Sequence, residues 1–137
     1  MKFSEYEEFF SITFDNHNIV VMLVNFSNAE IVLSNKKAEE FYGYNKEEFR
    51  KLKIFDLDIL TSNEIYEKMS KVIKNESNHF EYTHIKKNRD FIDVGINITK
   101  ISIEDEEYFL LIIHDISQRK KIGRAHVWTP VPASYLV

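Results

Sequence analysis

Apolar residues recur along this chain with two different periods, and the switch between them divides it. Phe3, Tyr6, Phe9 and Phe10 stand at helical spacing, with Ser4 and Glu7 placed as a capping box. IVVMLVN (Ile19–Asn25) is short and β-branched, so it reads as a strand, and EIVLS reads as a second strand after a Ser-Asn turn. In NKKAEEFYGYNKEEF, Ala38, Glu39, Glu40 and Phe41 favour helix, and Gly43 sits where a left-handed C-terminal cap belongs. Asn45 with Glu48 forms a second N-cap and its reciprocal partner. After the mixed stretch KLKIFDLDIL, Thr61 and Glu64 open a further helix whose apolar face is Ile65, Met69, Val72 and Ile73.

From His79 the period falls to two. HFEYTHI is a strand, and KKNRD is a turn in which Asn88 is the residue suited to positive φ. In FIDVGINITKISI, Ile92, Val94, Ile96 and Ile98 share one side before the phase moves to Ile101 and Ile103. That slip predicts a bulge near Thr99–Lys100. After the acidic turn around Asp105–Glu107, YFLLII is apolar on both faces and belongs in the middle of a sheet. Strands at both ends with short helices between them give an α+β domain, helices packed on one face of a single antiparallel sheet.

Composition narrows the picture. The chain has 137 residues, 44% hydrophobic and 29% charged, which suits one domain with one core. A net charge of −4 with no basic stripe argues against nucleic acid. No apolar run is long enough to span a membrane, and MKFSEYEEFF is too acidic for a secretory signal, so a cytoplasmic setting is expected. Cysteine is absent, which removes disulfides, thiolate metal sites and cysteine nucleophiles. Both prolines and the single tryptophan fall after Lys121, in a segment without Asp or Glu. This break marks 122–137 as a non-native or disordered tail, and IGRAHVWTPV resembles a translated sequencing adapter. The expected division is a cap helix at 1–10, a domain at 11–121 and that tail, with the natural chain continuing beyond Lys121.

The element order and four motifs resemble a PAS domain, the sensor module of prokaryotic signalling proteins. SNKKAEEFYGYNKEEF is similar to the family's Asn-x-x-Ala-x-x-x-x-Gly-Tyr-x-x-Glu-Glu block, matched by Asn35, Ala38, Phe41, Gly43, Tyr44, Glu47 and Glu48. FEYTHIKKNRD lies where the family has a strand and glycine turn, with Asn88-Arg89 in place of the glycine. The acidic turn before the last strand is the third motif. IIHDISQRK resembles the family's Asp-Ile-Thr-x-Arg-Lys terminus, with Ser117 for threonine. The resemblance covers about Ser11 to Lys121 and implies a five-stranded antiparallel sheet. It also implies a signal-relay joint at Asp115, Ser117 and Arg119, where Asp115 or Ser117 can cap a following helix. An exposed Asp115–Arg119 pair is worth only about 0–1 kcal/mol, a scale suited to a joint that shifts.

The resemblance further implies a pocket between sheet and short helices. Its candidate lining is Phe41, Phe49, Ile54, Phe55, Tyr66, Met69, Tyr82, Ile96, Ile98 and Leu111, although the same residues suit a self-filled core. A flavin–cysteinyl adduct is impossible without cysteine, and haem is not expected because the helix after Thr61 has no histidine. His79 and His84 stand at an odd separation on one strand, so they face opposite sides and cannot share a metal. His17 has no evident partner, and His114 is expected to make a structural hydrogen bond. Asp56 and Asp58 read as solvated loop carboxylates rather than an acid–base pair. No metal site, phosphate loop or nucleophile elbow is present, so no enzymatic activity is expected.

Three functions follow. The first is a sensory and regulatory module that binds a small ligand or registers a partner, homodimeric, and feeding a downstream effector such as a histidine kinase or diguanylate cyclase. The second is a ligand-free dimerisation or protein-interaction module using Phe3, Tyr6 and Phe10. The third, a small enzyme with Asp56, Asp58 or His114 as base, requires one of these deep in a cavity.

Overall fold

The computed structural model describes residues 3–15, 18–59, 63–64, 67, 70–71, 74 and 78–117. In chain order the elements are α1 (Phe3–Phe14), β1 (Val20–Asn25), β2 (Ile31–Ser34), α2 (Lys36–Tyr42), α3 (Lys46–Arg50), a 3-10 helix (Ile54–Leu57), β3 (His79–Ile85), β4 (Phe91–Ile103) and β5 (Glu106–Asp115). Asn63, Glu64, Glu67, Ser70 and Lys71 are helical, in the region where the Thr61 pattern predicts a helix. The N-terminal helix starts at Phe3, so Ser4 lies inside it rather than at its cap, and it continues past Phe10 to Phe14.

The five strands form one antiparallel sheet in the order β2-β1-β5-β4-β3. The first and last strands are lateral neighbours, paired from Val20↔Ile113 to Asn25↔Tyr108. The doubly apolar β5 is the middle strand, as its composition requires.

Both sheet faces are covered, and this explains the slip in β4. On the inner face Met22, Val24, Ile96, Ile98, Leu111 and Ile113 pack against Ala38, Tyr42, Phe49, Ile54 and Leu57 from the short helices. On the outer face Val21, Leu23, Leu33 and Tyr108 pack with Phe10, and Phe14, Ile101 and Ile103 join them. The expected bulge at Thr99–Lys100 is absent: β4 pairs with β5 in unbroken register from Val94↔Asp115 to Ile103↔Glu106. The apolar phase changes because the buried face changes, from the short-helix side to the α1 side. An irregularity does occur, between Leu23 and Val24, where β1 meets β2.

Both sheet edges are touched by one short segment. At the β2 edge the Ile31 amide donates to Leu52 O (3.2 Å) and the Ile54 amide donates to Ala29 O (2.9 Å). At the β3 edge the Ile59 amide donates to Thr83 O (3.3 Å), and Asp58 bridges His84 through the backbone. Residues 52–59 thus reach from one sheet edge to the other as a strap across the inner face, with Ile54 and Leu57 buried beneath it.

Candidate functional site

The inner face gains its polar chemistry from the last residue of α2. Asn35 starts this helix: its Oδ1 accepts from the Ala38 amide (3.0 Å) and from the Val21 amide (3.1 Å). Its Nδ2 donates to Phe14 O (3.2 Å) and Ile19 O (2.6 Å), so one fully buried side chain joins α1, β1 and α2. Gly43 ends the helix at φ 86°, a left-handed cap whose amide donates to Glu39 O. The expected Asn45–Glu48 capping box starts α3. These caps aim Tyr42 into the core.

There the Tyr42 hydroxyl lies 2.8 Å from His84 Nδ1, and His84 Nε2 lies 3.5 Å from Asp58 Oδ2. The side chains of His84 and Asp58 are 1% and 3% exposed. Tyr82, two positions before His84 on β3, turns its ring to the same face, with centroids 5.9 Å apart. Burial pushes the Tyr42 phenol well above its ordinary range, with the Asp58 carboxylate adding to the effect; Tyr82 is raised by the same two causes. Both therefore stay neutral hydroxyls beside an imidazole and a carboxylate, a set suited to exchanging hydrogen bonds and holding a proton rather than to nucleophilic attack.

This cluster corrects one expectation. Asp56 is exposed and caps its own turn, accepting from the Lys53 amide at 2.8 Å. Asp58 is not a solvated loop carboxylate: the strap carries it under the edge of β3 against His84. His79 and His84 do face opposite sides, one exposed and one buried, and His114 is exposed. No group of three or more His, Asp or Glu able to hold a metal occurs among the described residues. Tyr42, His84 and Asp58 were not among the expected pocket residues. Only the inward phase of His84, two residues from Tyr82, marked one of them in the sequence.

Of the expected lining, Phe49, Ile54, Tyr82, Ile96, Ile98 and Leu111 are buried in one inner cluster, with Phe41 and Phe55 packed against it. Tyr66 and Met69 lie outside the described residues, as does Arg119 of the joint. Asp115 ends β5, and its Oδ1 accepts from the Ser117 amide (2.9 Å), where helical conformation begins. Between them Ile116 is buried, and its amide donates to Asp93 O (3.0 Å). On α1, Tyr6 is half-buried and Phe10 packs inward against the sheet, whereas Phe9 and Ile12 are 62% and 67% exposed. The side chain of Phe3 is outside the described residues. Arg50 pairs with Glu7, fixing α1 to α3. In the KKNRD turn positive φ falls on Arg89 (77°) rather than Asn88, whose Oδ1 instead accepts from the Asp90 amide. Among the described residues no helix is long and apolar enough to cross a membrane.

The geometry has counterparts in solved structures. A PAS domain from a two-component sensor histidine kinase superposes with a TM-score of 0.70 at 12% identity, covering 82% of this chain and 98% of that one. The PAS domain of an HTR-like protein from Haloarcula marismortui gives 0.70 at 19% identity, covering 82% and 93%. A LOV protein of Rhodobacter sphaeroides gives 0.69 at 16% identity, covering 92% and 76%. No curated protein matches the sequence. The family model described as "PAS domain" matches residues 17–118, the whole sheet and the helices on its inner face. The chain therefore belongs to the PAS domain family.

Proposed function

We propose that this domain is a non-catalytic sensory module of a cytoplasmic signalling protein. It registers a small molecule or a partner at its inner face and passes the change to an effector domain of the histidine kinase or diguanylate cyclase kind. The observation that carries this reading is the corner at Asp115–Ser117. The central strand hands over to helical chain there through one exposed cap, while Ile116 remains anchored to β4. Beyond the Ile116 anchor, the helical start at Ser117 is held by the Asp115 side-chain cap, a hydrogen bond worth about 1 kcal/mol that shifts with little energy. One neighbour's origin in a two-component sensor histidine kinase supports the kinase side of this reading.

The test is native mass spectrometry of the purified domain together with melting curves against a panel of small metabolites. The reading expects one compound to raise Tm progressively with the logarithm of its concentration, the underlying stabilisation being about 2.7 kcal/mol at a hundred times its Kd. The same compound should move the Ser117 amide resonance. A domain that carries no compound, whose melting no panel member changes, contradicts small-molecule sensing.

A second reading, pairing of two copies through α1, is favoured by Phe9 and Ile12, exposed one turn apart. Sedimentation of a Phe9→Ser, Ile12→Ser double variant should then show monomer where the parent shows dimer. An unchanged mass removes this reading.

A further inference from the structure

The strap and the C-terminal corner are joined by a short run of contacts across β3 and β4. The Ile59 amide donates to Thr83 O (3.3 Å), and Thr83 Oγ1 donates to Asp93 Oδ1 (2.9 Å). Asp93 O in turn accepts from the Ile116 amide (3.0 Å), one residue before the chain turns helical at Ser117. Each end of the strap carries an antiparallel backbone bridge, Glu30–Lys53 at the β2 end and Asp58–His84 at the β3 end. The β2 end has two backbone hydrogen bonds and the buried side chain of Ile54. At the β3 end the Ile59 amide bond to Thr83 O (3.3 Å) is joined by the Asp58–His84 side-chain contact, with Tyr42 bracing the far side of the imidazole. Among the described residues His84 Nε2 makes no hydrogen bond, so the Asp58 carboxylate at 3.5 Å is its polar neighbour there.

We propose that Asp58 and His84 latch the β3 end of the strap, and that releasing the latch is transmitted through Thr83 and Asp93 to the corner at Ile116–Ser117. The proposal rests on the sensory reading and adds its internal route. Asp58 and His84 are positioning residues: they set whether residues 58–59 lie on β3 or lift from it, pivoting on the buried Leu57. Lifting withdraws the donor on Thr83 O, and the Thr83 hydroxyl carries that change to the carboxylate of the residue whose carbonyl holds Ile116. Energetic coupling between the two ends is what this route predicts and what a measurement reads.

Amide hydrogen exchange on the full chain, read residue by residue by NMR, supplies that measurement. Asp58→Asn keeps the shape and removes the carboxylate. It should speed exchange at Ile59 tenfold or more and at Ile116 about threefold, while Ile31 and Ile54 at the other end stay within twofold of the parent. In a Thr83→Val background the same change should still speed Ile59 but leave Ile116 unaltered, the non-additivity expected of a shared route. If Asp58→Asn does not fold, Tyr42→Phe removes only the hydroxyl facing His84 Nδ1 and should speed the same two amides. Three results overturn the proposal: Ile59 unchanged, all amides accelerated alike, or Ile116 responding equally with and without the Thr83 hydroxyl. A strap that opens without any response at Ile116 also overturns it, yet leaves ligand sensing to its own melting test.

Discussion

Single residues decide how the elements of this domain meet. Asn35 was legible in the sequence as part of a helix-opening block, but its burial and its four hydrogen bonds to three elements were not. Apart from the Ala38 amide three residues on, those partners lie 14 to 21 positions away, and no local pattern encodes them. Asn35→Ala strands the Val21 amide and the Ile19 and Phe14 carbonyls in the core, and should cost about 3 kcal/mol in urea denaturation. The buried tyrosines predict a pH effect. Their folded-state phenols are held above the unfolded value near 10.0, so the stability they contribute is complete below that pH and lost as pH rises through the raised folded value. Urea titrations should therefore show stability falling above pH 10, and less steeply in Tyr42→Phe. An equal slope in the two proteins would remove Tyr42 from the alkaline response. Asp58 was the least legible of the site residues, because a polar neighbourhood in sequence gives no sign that the chain there crosses beneath a sheet edge.

Among the elements, the strands and capped helices were readable because their signals are local: alternation in β3, the Asn45–Glu48 box, Gly43 past the end of α2. Turn detail was less so. The β4–β5 hairpin turns on Glu104 and Asp105, with φ 50° and 67°, and Glu106 is already in the strand. Two positive φ values are the mark of a type I′ turn, which favours Asn-Gly, and a left-handed residue with a side chain costs about 1–2 kcal/mol. Glu104→Asn with Asp105→Gly should accordingly raise stability by about 1–2 kcal/mol in thermal or urea melts. A neutral or destabilising outcome would show that the acidic turn is held by contacts beyond its own backbone. The misplaced bulge has the same origin as the hidden strap: periodicity reports that a face is buried, but not which layer buries it.

The whole molecule is one five-stranded sheet with two unequal coverings. One helix attaches to the outer face through Phe10 and Phe14, and a set of short helices closes the inner face over the Tyr42–His84–Asp58 cluster. Placing β1 beside β5 puts the chain's entry and exit strands side by side, so motion at the inner face has a short path to the outgoing chain. That adjacency was foreseeable from the order of elements, whereas the cluster that gives the inner face its chemistry required the strap that brings Asp58 to β3. Fold and site thus differ in legibility because one rests on local periodicity and the other on contacts closed only by tertiary packing. The claim that the inner face communicates with the exit is tested most directly by comparing amide chemical shifts of the parent and Tyr42→Phe. This account predicts displaced resonances at Ile116 and Ser117 as well as around His84, with the outer-face residues Leu33 and Phe10 unmoved. Displacements confined to the immediate neighbours of residue 42, with Ile116 and Ser117 unchanged, would contradict it.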